Sequence, residues 1–76
     1  MNKTPILIKL AAEEKLTLEL VERSLTASYR DVIRARTILL LAQGCTVSTV
    51  AQKVGYQRRI VRKWAWRFIK KRIPGL

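Results

Sequence analysis

A chain of 76 residues with a formal net charge of +11, one cysteine and no histidine makes one small domain with a modest core and no intramolecular disulfide to reinforce it. No apolar run approaches the roughly 20 residues of a membrane span, and the stretch from Pro5 to Ala12 is too short and too broken by charge to act as a secretory leader. The cationic excess favours a polyanionic partner, and the lack of an export signal favours a cytoplasmic, nucleoid-associated protein.

Residues 1–10 read as an extended arm, with Ile6 and Ile8 on one side and Pro5 opposing an early helix. A first helix is expected over residues 11–25. Glu13 and Glu14 suit the positive end of its dipole, and Leu16, Leu20 and Val21 mark its apolar stripe. Ser24 to Ser28 reads as a connection, with Ser28 as the cap of a second helix over residues 29–43. Val32, Ala35, Leu39 and Ala42 mark the inner face of that helix. Ile33, Ile38, Leu40 and Leu41 make it apolar nearly all round, which places it at the centre of the fold. Arg30, Arg34 and Arg36 limit the burial of its first half, and Gly44 ends it.

Cys45 has no Cys or His partner for a metal and reads as a small, semi-buried residue. Thr46 caps a third helix over residues 47–54, in which Thr49 stands where a capping box would carry a carboxylate. A fourth helix runs from residue 57 or 58 to residue 72 and stops before Pro74-Gly75. With no strand, repeat or low-complexity segment, the fold class is all-α, a small helical bundle.

Residues 46–72 have the spacing of a helix-turn-helix. Ala51 is small enough for two helices to cross, and Gly55 can take the positive φ of a tight helix exit. Val54, Val61, Trp64 and Phe68 supply the apolar contacts that fix the crossing angle. The whole chain then divides into the arm, supporting helices over 11–43, and the helix-turn-helix over 46–72.

At about 100° per residue, Val61, Trp64, Ala65, Phe68 and Arg72 fall on one side of the fourth helix, with Gln57 at its upper end. Arg59, Lys63, Trp66 and Lys70 fall near the opposite side, flanked by Arg62 and Arg67. All five acidic residues precede residue 32, whereas nine Lys or Arg follow from Lys53 onward without an acid. A charged helix face is usually just a solvated one, but such faces mix signs. This one does not.

The partner expected is double-stranded DNA, with the fourth helix in the major groove. Early positions of such a helix reach base edges most easily, which selects Gln57, Arg58, Arg59, Arg62 and Lys63. Arg can grip guanine bidentately, while Gln57 could read adenine or cap the helix through its side chain. Phosphate contacts are expected from Thr46, Ser48 and Thr49 at the third helix N-terminus, and from Lys53, Arg67, Lys70 and Lys71. Three roles stay open for Trp66: packing beneath Arg62 or Lys70, touching the DNA backbone, or meeting another chain.

Catalysis is not expected. The sequence has no His, Ser-centred triad, Gly-rich phosphate loop or Cys cluster, and Glu13, Glu14, Glu19 and Glu22 read as solvated helix residues rather than metal ligands. Neither a cofactor nor a small-molecule substrate is implied. A membrane-active amphipathic helix over residues 58–72 would leave Ala51 and Gly55 unexplained. A protein-interaction module acting through the second helix is compatible with DNA binding.

The sequence resembles the N-terminal helix-turn-helix of the mariner-like, DDE-type transposases encoded by bacterial insertion sequences. The likeness runs from the Ile6-Leu7-Ile8 arm through Arg34-Ala35-Arg36-Thr37-Ile38-Leu39-Leu40-Leu41-Ala42-Gln43-Gly44. It continues through Thr46, Val50-Ala51, Val54-Gly55 and Arg58-Arg59-Ile60-Val61-Arg62-Lys63-Trp64 to Arg67-Phe68 and Gly75-Leu76. It implies a homeodomain-like or paired-like bundle that recognises the terminal inverted repeats of its own element. Thr49 stands where that family usually has Glu, and Gln57 where a Ser or Thr cap is common. The chain ends at Leu76, where the family continues into a basic linker and further domains. The resemblance thus implies the first module of a truncated or split transposase, pairing as a homodimer or with a companion transposase. The alternatives are a stand-alone small regulator or a modulator of a full-length transposase.

Overall fold

The computed structural model describes residues 8–72, among which there are four α-helices and no strand: α1 (Ala12–Arg23), α2 (Tyr29–Ala42), α3 (Val47–Val54) and α4 (Arg58–Lys71). The expected Ile6 side of the arm and the Pro74-Gly75 stop lie outside the described residues. The arm is represented by residues 8–11, which have no regular structure and bury Ile8 in the core.

α2 packs against the three other helices, as its nearly continuous apolar surface requires. Ile33, Ala35, Ile38, Leu39 and Leu41 are buried, while Val32 and Ala42, expected on the inner face, are only half-buried. Thr37 is fully buried and loses no hydrogen bond, because its hydroxyl donates to the Ile33 carbonyl at 2.8 Å. The arginines of this helix are accommodated rather than expelled. Arg30 is exposed, Arg34 lies 5.6 Å from the centre of the Trp64 ring, and Arg36 donates to Glu22 at 3.0 Å. Ser28 caps α2 by accepting the Asp31 amide.

At the other end, the Gly44 amide donates to Leu41 and the Cys45 amide to Leu40. These two bonds form a Schellman closure, which needs the left-handed backbone that Gly44 takes at φ +96°. The closure turns the chain within four residues into α3, and Thr46 starts that helix by accepting the Thr49 amide at 3.2 Å.

α1 differs from expectation in its face and its length. Leu16 and Leu20 are exposed at 58% and 62%, and the buried residue is Leu18, with Val21 packed beside it. The inward face of α1 is Glu14, Leu18, Val21 and Glu22, and both of its carboxylates are ion-paired with arginines of other segments. A stripe of that composition does not register as hydrophobic periodicity. The helix stops at Arg23 rather than Leu25 because the Ser24 hydroxyl accepts the amides of Thr26 and Ala27, which offers the backbone an alternative to another helical turn. Leu25 is left fully exposed.

The ion pair at the far end of α1 ties three segments together. Arg72, the residue that ends α4, donates from Nε and Nη2 to the Glu14 carboxylate at 2.9 and 2.6 Å, and from Nη2 to the Lys9 carbonyl at 2.8 Å. Its guanidinium also lies 4.6 Å from the centre of the Phe68 ring. Arg72 takes φ +57°, ψ −146°, a backbone conformation that costs a non-glycine residue about 1–3 kcal/mol. Glu14 also accepts the Ala11 amide, so its carboxylate holds both the arm and the end of α4.

The hydrogen bond from Arg72, followed by that from Ala11, holds the Glu14 carboxyl below the usual carboxylate range. A depressed folded-state pKa gives stability that is fully present above the unfolded value and is lost as pH falls through the folded value. The stability gap between the wild type and Glu14→Gln should therefore be constant near neutrality and shrink as pH falls below the ordinary carboxylate range. Chemical denaturation of both proteins across that window measures it. A gap that does not change with pH would show that the ionised carboxylate contributes nothing.

Candidate nucleic-acid interface

The interface is built from α3, α4 and the turn between them. Val47, Val50, Ala51 and Val54 are buried on one side of α3, which turns Ser48, Thr49, Gln52 and Lys53 outward. Burial of Ala51 matches its expected place at the helix crossing. Where a capping box would return an N3 carboxylate to the backbone amide of the cap residue, the Thr46 hydroxyl instead donates to that of Thr49 at 3.0 Å. Thr46 thus both donates and accepts within the cap. The Thr49 hydroxyl, an acceptor in that pair, keeps its own proton for a partner outside.

Three residues, Gly55 to Gln57, join the two helices. Gly55 has φ +79°, and open space surrounds the position that a Cβ would take, so the requirement for glycine here is conformational rather than steric. Tyr56 is half-buried with its ring edge-on to Trp64, 5.0 Å between centres. Gln57 starts α4 through its backbone carbonyl, which accepts the Ile60 and Val61 amides. Its side chain makes no capping bond, so the capping role considered for that amide is corrected.

α4 divides cleanly. Val61, Trp64, Ala65 and Phe68 are buried, and Arg58, Arg59, Arg62, Lys63, Trp66, Arg67, Lys70 and Lys71 are exposed. The groove between α3 and α4 brings Ser48, Thr49, Gln57, Arg58, Arg59 and Arg62 onto one concave surface. Lys63, Arg67, Lys70 and Lys71 lie outside that groove, farther along α4, while Lys53 is on the last turn of α3 and Thr46 at its cap. Gln52 and Tyr56 also line the groove and were not among the sequence candidates. Gln52 was recoverable, since it lies one helical turn after Ser48. The placement of Tyr56 depends on its packing against Trp64, which local sequence does not reveal.

Electrostatics add a second feature. The first turn of α4 contains Arg58 and Arg59 and no acidic residue. Cations at the positive end of a helix dipole destabilise the helix and strengthen its pull on an anion. Arg59→Glu should therefore stabilise the free protein by about 0.3–1 kcal/mol while weakening duplex binding roughly tenfold or more. Thermal melts and a binding titration of one preparation test both halves. A variant that loses stability and keeps its affinity would refute this account of α4.

Among the described residues, no group of three or more His, Cys, Asp or Glu is placed to hold a metal ion, and no helix is long and apolar enough to cross a membrane.

Three successive helices, the last two joined by a three-residue turn centred on a glycine-initiated exit, form the helix-turn-helix arrangement. A family model described as the homeodomain-like domain matches residues 28–76. The chain belongs to the homeodomain-like family. No curated protein and no solved structure matches it. The homeodomain-like match starts at the N-cap of α2, so α2, α3 and α4 are its helices and α1 precedes it. Membership supplies DNA binding as the function class.

Proposed function

We propose that this homeodomain-like domain binds double-stranded DNA sequence-specifically with α4 in the major groove, as the terminal-repeat-binding module of a mariner-like, DDE-type transposase. The observation that carries the DNA reading is the outward face of α4, entirely free of acidic residues and rooted in a concave surface with the α3 N-terminal hydroxyls. Arg59, Arg62 and Lys63 are the principal base-edge contacts, with Gln57 and Arg58 as further base-edge candidates at the start of α4. Ser48, Thr49, Lys53, Arg67, Lys70 and Lys71 contact phosphates, and Thr46 orients Thr49. The transposase role is supported by the resemblance from Arg34 to Gly44, joined to the helix-turn-helix.

A lone helix-turn-helix covers a short half-site, so much of the binding energy comes from phosphates, and selectivity grows when two copies or a companion transposase bind together. With about four to six phosphate contacts, the log–log dependence of affinity on salt should have a slope of roughly −4 to −5. The test is titration against duplexes carrying one and two terminal repeats of the element, with a scrambled duplex of equal length. Two repeats should bind more tightly than twice one. Equal affinity for repeat and scrambled duplexes would remove the terminal-repeat role, and a salt slope near zero would remove the phosphate contacts.

A further inference from the structure

Trp66 stands out within the face just described. It is 53% exposed, although its neighbours Trp64 and Ala65, on the buried side of the helix, are 5% and 0% exposed. It follows Arg59 by seven positions, Arg62 by four and Lys63 by three. Those separations put all four residues on one stripe, and a helix lying in a groove presents such a stripe to the floor of that groove. Arg62, Lys63, Arg67 and Lys70, one turn before or after Trp66 or adjacent to it, are all exposed.

An indole in that setting has few suitable partners. Docking a protein surface on Trp66 would strip water from the surrounding cations, and the other large exposed hydrophobic side chains among the described residues (Leu16, Leu20, Leu25 and Tyr29) belong to α1, its connection or the start of α2. A duplex satisfies both requirements. Its phosphates neutralise the cations, and its major groove offers one apolar group among polar base edges, the thymine C5-methyl.

Resting on the reading of α4 as the recognition helix, we propose that Trp66 is a specificity residue that packs its indole on the C5-methyl of a thymine, at the far end of the stripe formed by Arg59, Arg62 and Lys63. The contact discriminates thymine by shape and apolarity, whereas the cations ahead of it discriminate by hydrogen bonding.

The probe is a duplex enriched by the purified chain from a randomised 20-base-pair pool, in which each thymine is then replaced singly by uracil. One replacement should weaken the wild type about fourfold, the effect of one buried methyl, and leave Trp66→Ala unchanged. Acrylamide should quench Trp66 in the free protein and lose access to it in the complex, with Trp66→Ala identifying that signal against buried Trp64. Circular dichroism of Trp66→Ala should match the wild type. Uracil losses that persist in Trp66→Ala, no uracil-sensitive position, or a Trp66 still open to acrylamide in the complex would each overturn the inference while leaving DNA binding intact. A pool that binds without yielding an enriched sequence would remove the sequence-specific reading, and this inference with it; a pool that is not retained at all would remove DNA binding.

Discussion

Phe68→Ala should cost about 3–5 kcal/mol, the range for emptying an aromatic site in a packed core. Phe68 is fully buried and is the largest such side chain among the described residues. Its truncation also removes the ring on which the Arg72 guanidinium rests. Small domains sit at the lower end of the usual stability range of about 5–15 kcal/mol, so this variant should be largely unfolded near body temperature. Denaturant titration beside the wild type measures the loss. A cost below about 1 kcal/mol, within the range of ordinary single substitutions, would show that Phe68 is not packed as described.

Arg62→Ala should show the opposite pattern. Arg62 is exposed and lines the α3–α4 groove, so its removal should leave stability within about 0.5 kcal/mol of the wild type. Duplex affinity should fall by about 1–3 kcal/mol at the cognate site, the value of one bidentate base contact, and by less on random duplex. Equal losses on both would make Arg62 a phosphate contact. No loss on either would take α4 out of the interface. Together the two variants separate what folds the helix from what it presents.

The helix-turn-helix was readable from the sequence because its determinants are local. Thr46 caps α3 through its own side chain, Gly55 alone can take the left-handed exit, and Val61, Trp64, Ala65 and Phe68 recur at helical spacing. α2 was readable as central for a similar reason, since only a helix surrounded by others can bury Ile33, Ile38 and Leu41 together. α1 departs from its sequence pattern because the tendency of an apolar stripe to face inward fails when the inward positions are charged and paired. The partners of Glu14 and Glu22 are Arg72 and Arg36, separated from them in sequence by 58 and 14 residues. No local pattern contains that information. In the candidate site, the outward cations followed from helical periodicity, whereas the groove that joins some of them to α3 required the crossing angle, and with it came Gln52 and Tyr56.

The tie between Glu14 and Arg72 sets a boundary that family membership alone would put elsewhere. The homeodomain-like match begins at residue 28, yet Ile8 and Leu18 in the core and the counter-charge of Arg72 come from before it. A shorter chain starting at Ser28 would keep every cation of α4 and lose the carboxylate paired with Arg72 just past the end of that helix. The family match and the packed unit are therefore of different lengths. The lead-in helix is a buttress, closing the core with Leu18 and bracing the C-terminal end of α4 through Glu14.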